Sequence, residues 1–212
     1  MHYLWTDVEA GGKDEKKNPL LQVYLAIYND KLEFLDELDL YVKPDGKEWN
    51  EVDVEQEALD VNGIDLEKHF KNPNTIAYSE ANKLIIEFLS KYKIPNKRKH
   101  FRLSGHNVEF DKKFILAQLV DEDSWEKLVH YNTIDTLRIC TFLQDCGFIA
   151  ADVGSLTSLV EYFNIPLGQA HNAREDIKMT VELYRAILKM MKEKKNNMSG
   201  IAEHSLLSIV EL

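Results

Sequence analysis

The chain has 212 residues, 44% of them hydrophobic and 29% charged, enough to bury one sizeable core in a single domain. Its 36 acidic residues outnumber 26 basic ones and leave a formal charge of −10, which excludes a protein that coats nucleic acid through bulk positive charge. No apolar run reaches membrane-spanning length, Met1-His2-Tyr3 lacks the parts of a secretory signal, and Cys140 and Cys146 form no Cys-x-x-Cys pair. A cytoplasmic protein without disulfide framework, zinc site or membrane contact is expected.

The first element is an apolar run from Tyr3 that ends in Asp7-Val8-Glu9-Ala10 and then Gly11-Gly12. Alternate side chains of a strand share a face, so Asp7 and Glu9 are expected to point the same way at its end. Pro19 to Tyr28 reads as a buried second strand, Asn29-Asp30 as a turn, and Leu32 to Val42 as the returning third strand, closed by Pro44-Asp45-Gly46. A helix over Val54 to Asn62 stops at Gly63, a suitable C-cap. Pro73-Asn74-Thr75 opens a longer helix to about Tyr92, with Ile76, Ala81, Leu84, Ile85, Phe88 and Leu89 as its apolar face.

His100 to Ser104 reads as a fourth strand and leads through Gly105-His106-Asn107 into a helix with Phe110, Phe114, Ile115 and Leu119. A fifth strand is expected over Val129 to Ile134, followed by helical segments to Asp145 and from Ser155 to Phe163. The last helix runs from about Ala173 to Glu193, its apolar residues Ile177, Val181, Tyr184, Leu188 and Met191 spaced by four and three. The fold class is therefore α/β, a mixed five-stranded sheet that begins with three antiparallel strands and carries helices on both faces. Residues 1–195 form the domain, and the composition changes over 196–212 to a tail ending in the apolar piece Ser205 to Leu212.

Three stretches carry chemistry. Asp-x-Glu occurs at Asp7/Glu9, Asp53/Glu55 and Asp65/Glu67, and only the first ends a strand-like run before glycines. The other two read as solvated helix-end charges. The second stretch is Gly105 to Asp111, where Asp111 lies one turn into a helix and can reach toward the end of the first strand. The third is His171 with Asp176, the histidine in a loop and the aspartate in the first turns of the last helix. His2/Asp7, His106/Asp111 and His130/Asp135 repeat that spacing, so context rather than interval separates it.

Four carboxylates and an imidazole, each at an element end, suit a hydrolytic metal centre. Oxygen ligands without cysteine select Mg²⁺ or Mn²⁺, and two such ions can hold the attacking and leaving oxygens of an in-line phosphoryl displacement. An imidazole near its ordinary pKa of roughly 6.5 can take the proton of the attacking water.

Taken together, Asp7-Val8-Glu9-Ala10-Gly11-Gly12, Gly105-His106-Asn107-Val108-Glu109-Phe110-Asp111 and Ala170-His171-Asn172-Ala173-Arg174-Glu175-Asp176 resemble, in order, the three motifs of the DnaQ-like, DEDDh-type 3′-to-5′ exonucleases. The likeness runs from Tyr3 to about Met191 and includes Glu57 to Ile64 and Thr133 to Leu137. It implies an RNase H-like fold, two divalent ions, and stepwise removal of nucleotides from the 3′ end of single-stranded DNA or RNA as 5′-monophosphates. It assigns metal-ligand roles to Asp7, Glu9, Asp111 and Asp176 and the general-base role to His171. It also places Ala10, Asn62, Asn107 and Phe110 near the terminal nucleotide, with Ala10 where the family usually has threonine.

Within that family the spacing is nearest to RNase T and to the proofreading subunits of bacterial replicative polymerases, which implies a homodimer or a polymerase partner docked through Ser205 to Leu212. The alternative is a packed terminus for that segment and, for the whole chain, a non-catalytic nucleic-acid-binding or polymerase-associated adaptor of the same fold.

Overall fold

The computed structural model describes residues 1–167 and 172–210, with 197–210 given as backbone only. Three strands come first: β1 (His2–Ala10), β2 (Leu20–Tyr28) and β3 (Phe34–Lys43). They pair antiparallel, β1 with β2 and β2 with β3. Every residue of β2 is buried, because this strand lies inside the sheet with helices over both of its faces. The turn into β3 is made by Asn29, whose side-chain oxygen accepts from the amides of Lys31 at 2.9 Å and Glu33 at 3.0 Å. Those bonds pull Leu32 inward at a positive φ of 62°, so the strand starts at Phe34 and not at Leu32.

Helix α1 (Gln56–Asn62) ends on Gly63 at φ 67°, where the glycine N–H bonds to the Leu59 carbonyl. A short helix absent from the sequence reading, α2 (Leu66–Lys71), follows at once, and its N-cap Asp65 accepts from the Lys68 amide at 3.1 Å. Thr75–Ala77 is not the first turn of the long helix but a strand, β4, laid parallel to Tyr41–Lys43 of β3. The sheet consequently has six strands, one more than expected. Three residues are too few to show a period, and only the edge of β3 makes them a strand. Helix α3 (Tyr78–Lys91) comes next, then β5 (Phe101–Gly105) and α4 (Val108–Phe114), whose last turn widens into a π turn over Ile115–Leu119.

Helix α5 (Glu122–Leu128), also unread in the sequence, leads into β6 (Val129–Asp135), and α6 (Thr136–Asp145) and α7 (Leu156–Tyr162) follow. Cys140 is buried in α6 and Cys146 exposed at its end; both are free thiols. The last helix, α8 (Ala173–Val210), runs past the composition change at Lys195. The side chains of the expected docking segment Ser205 to Leu212 lie outside the described residues, so the division at 195/196 rests on composition alone. Among the described residues no helix is long and apolar enough to cross a membrane.

The sheet order is β4-β3-β2-β1-β5-β6, with β1, β5 and β6 parallel. One face carries the larger core: Leu4, Val8 and Ala10 of β1 meet Ala81, Ile85 and Leu89 of α3, Val108 and Phe114 of α4, and Trp125 of α5. On the opposite face Trp5, Tyr24 and Ala26 pack under Ala173, Ile177 and Val181 of α8. The two-residue period of β1 therefore sends Asp7 and Glu9 to the α8 side, in line with Trp5.

Candidate metal centre

The site forms where β1 loses one neighbour. Strand β1 pairs with β2 as far as Ala10 but with β5 only from His2 to Trp5, so the half that carries Asp7 and Glu9 has an open edge on the β5 side. Gly105 makes the parting possible. A Cβ on it would sit 3.0 Å from the Thr6 carbonyl oxygen and 3.0 Å from the Val108 side chain.

Asn107, at φ 62°, then turns the chain into α4. Its amide donates to the Asp135 carboxylate at 2.9 Å. Asp111, one turn further on, is buried, and its carboxylate accepts a hydrogen bond from the Val8 backbone N–H. That amide would otherwise be an orphan of the open edge.

Asp176 arrives from the other face. Asn172 begins α8, its side chain accepting from the Glu175 amide at 3.3 Å and its carbonyl from the Asp176 amide at 2.9 Å. Carboxylate oxygens of Asp7, Glu9 and Asp176 lie within 4.8 Å of one another, the one such group of three among the described residues. Asp111 stands beside this trio, near enough for its charge to act on Asp7 and to feel that of Glu9.

Crowding shows in the protonation of these groups. Burial, then the neighbouring charges of Asp111, Glu9 and Asp176, hold Asp7 well above the usual carboxylate range. Burial, followed by Asp176, pushes Glu9 up to about 7. Burial also raises Asp111, against the backbone N–H groups of Asp111 and Val8 and with the charges of Asp135 and Glu9. Two like charges 4 Å apart repel by about 4 kcal/mol in a medium of effective dielectric about 20. Such a set favours a divalent cation among its members, and an all-oxygen donor set fits a hard ion.

Beside Glu9 opens a cleft of about 390 Å³. The four positions expected near a terminal nucleotide, Ala10, Asn62, Asn107 and Phe110, all line it. Asn62 ties its wall together by donating to the Ala10 carbonyl at 3.2 Å and accepting from the Ile64 amide at 3.0 Å. Phe110 stacks at a tilt on Phe114, ring centres 4.9 Å apart.

Val61 and Glu57 line the same cleft, and in the sequence they figured only within the Glu57 to Ile64 stretch, with no role of their own. Val61 had a usable signal, since an apolar residue at an outward position of α1, 54% exposed, has no core to serve. Asp135 entered the sequence reading only within the Thr133 to Leu137 stretch and as half of a repeated spacing, with no role assigned, and it is the residue that holds the start of α4 through Asn107. His171 lies outside the described residues, and its expected loop with it.

The sheet is RNase H-like, open at one edge with acids gathered at the end of its first strand, and comparisons with known proteins return nucleases that this chain resembles in sequence or in fold. A Ribonuclease T of Hahella chejuensis is 28% identical over 196 residues, 88% of this chain and 83% of the relative. Among solved structures, Escherichia coli Exonuclease I in complex with a dT13 oligonucleotide matches with a TM-score of 0.67 and 16% identity over 92% of the chain. Exonuclease I from Methylocaldum szegediense matches with a TM-score of 0.62 and 18% identity over 89%. The chain spans 43% and 40% of those two proteins. No protein-family model matches it.

Proposed function

We propose that the chain is a metal-dependent 3′-to-5′ exonuclease that hydrolyses the terminal phosphodiester of single-stranded DNA or RNA and releases nucleoside 5′-monophosphates. The observation that carries this reading is the convergence of Asp7, Glu9 and Asp176 from two elements, with Asp111 beside them, next to a cleft of about 390 Å³ whose wall Glu9 shares. Sequence likeness to a Ribonuclease T and fold likeness to an oligonucleotide-bound Exonuclease I support it.

In this reading Asp7, Glu9, Asp111 and Asp176 hold two Mg²⁺ or Mn²⁺ ions. Bound there, the ions would supply charge stabilisation for the attacking and leaving oxygens of the displacement. Asp111 is kept in line by the Val8 N–H, and Glu9 joins the cluster to the cleft. Phe110 and Val61 offer apolar walls to a base, and Asn107 a polar side chain at the helix start. His171, immediately before Asn172 in the sequence, takes the proton from the attacking water and passes it on to bulk water, which restores the neutral imidazole. A homodimer, or a polymerase partner on residues 205–212, belongs to the same reading and is tested by sedimentation of the full chain.

A 5′-labelled single-stranded oligonucleotide, as DNA and as matched RNA, separates this from an adaptor role. With Mg²⁺ the expected product is a ladder shortening by one nucleotide from the 3′ end, abolished by EDTA. Tight binding without shortening would establish the adaptor instead.

A further inference from the structure

We propose that Arg174, Glu37 and Tyr24 form a clamp that fixes Asp176 against Asp7 and Glu9 and thereby sets the affinity of the cluster for its divalent cation. The proposal rests on the metal-centre reading above and assigns positioning roles to three residues outside it.

The cluster is assembled from two elements. Asp7 and Glu9 share one strand and are fixed relative to each other by its geometry, whereas Asp176 comes from α8. What holds α8 to the sheet near this point is largely apolar, through Ala173, Ile177 and Val181. Apolar contact is non-directional and defines poorly how far a helix has slid or rolled. A metal site needs oxygen positions held far more closely than that.

Directional contacts occur at just this place. In the sheet Asp7 lies opposite Tyr24, and the Tyr24 hydroxyl donates to the Glu37 carboxylate on β3. The other oxygen of Glu37 pairs with the Arg174 guanidinium at 2.5 Å, and that guanidinium also lies over the Tyr24 ring, 5.8 Å from its centre. Arg174 precedes Asp176 by two residues in the first turn of α8. A closed circuit therefore runs from Asp7 across the strand pair to Tyr24, through Glu37 to Arg174, and along the helix back to Asp176.

Burial, then the Glu37 bond, keeps the Tyr24 phenol protonated at any working pH, so it remains a donor. The Arg174 side chain is 44% exposed and that of Glu37 28%, and a pair so open contributes little to stability. Its consequence is positional.

Mn²⁺ titration of the full chain without substrate, followed by the loss of the free-ion electron paramagnetic resonance signal, tests the clamp. Arg174→Met and Glu37→Gln are each expected to weaken Mn²⁺ binding by roughly tenfold, the lower end of what outer-shell partners of metal ligands provide. The double variant should be no weaker than either single one, since both break the same circuit. The melting temperature in EDTA should stay close to the parent's, which shows that the variants fold.

A simple field effect predicts opposite signs, because removing Arg174 would tighten cation binding and removing Glu37 would loosen it. Opposite signs, or unchanged affinity in both folded variants, overturn the clamp. A parent chain that binds Mn²⁺ without cutting an oligonucleotide overturns the hydrolytic reading alone. A parent that binds no Mn²⁺ overturns both.

Discussion

The Asp111 carboxylate accepts a hydrogen bond from the backbone N–H of Val8, so an acid from α4 stands in for the strand that β1 lacks beyond Trp5. One contact thereby does two things: it satisfies an amide on the open edge, and it holds a buried carboxylate beside Asp7 and Glu9. Asp111→Asn keeps an acceptor for Val8 and removes the charge. The variant is expected to melt no lower than the parent in EDTA, while Mg²⁺-dependent nucleotide release falls by several kcal/mol of lost charge stabilisation, about 10³-fold. Calorimetry and a radiolabel release assay read the two effects.

The raised carboxylates make metal-free stability depend on pH in a definite direction. A carboxyl whose folded pKa lies above its unfolded value binds more protons in the folded state, so stability falls as pH rises through that interval. For Glu9 the interval runs from its ordinary 4.5 to about 7, and Asp7 and Asp111 act in the same sense. In EDTA the melting temperature should therefore drop between about pH 5 and about pH 7.5 through these groups, and saturating Mg²⁺ should remove most of the drop by pairing the charges. A metal-free melting temperature that climbs over the same range would contradict the crowding of the site.

If His171 is the general base, His171→Ala should lower the turnover rate by roughly 10²–10⁴ and leave Mn²⁺ affinity within the scatter of the parent's. Loss of both together would make it a ligand, and loss of neither would remove it from the mechanism. The pH profile of the parent against the variant provides the second readout, since the acid limb assigned to the imidazole should vanish.

Gly105 sits where β5 leaves β1, with the Thr6 carbonyl and the Val108 side chain both 3.0 Å from any added Cβ. Gly105→Ala is expected to cost about 1–3 kcal/mol, as overpacking does, read from urea unfolding. It should also lower activity, because the strand end and Asn107 carry the position of Asp111.

Much of this arrangement was legible in the sequence because it follows from short-range rules. Alternation along Tyr3 to Ala10 placed Asp7 and Glu9 on one face, and Gly63 marked the end of α1. Asp53/Glu55 and Asp65/Glu67 were set aside as helix-end charges, and Glu55 and Asp65 are N-caps of α1 and α2. What escaped depends on partners distant in the chain: Thr75–Ala77 is a strand only because β3 has a free edge there. Likewise α2 and α5, of six and seven residues, are too short to show a helical period. The link from Tyr24 through Glu37 to Arg174 joins three elements, and no interval in the sequence announces it.

The most direct test of the whole account is a crystal of the chain grown with Mn²⁺, examined by anomalous scattering at the manganese edge. The account predicts density roughly 2–2.4 Å from carboxylate oxygens of Asp7, Glu9 and Asp176, lost in the Asp7→Asn variant. Manganese bound elsewhere, or absent from this cluster in a chain that still shortens oligonucleotides, would contradict it.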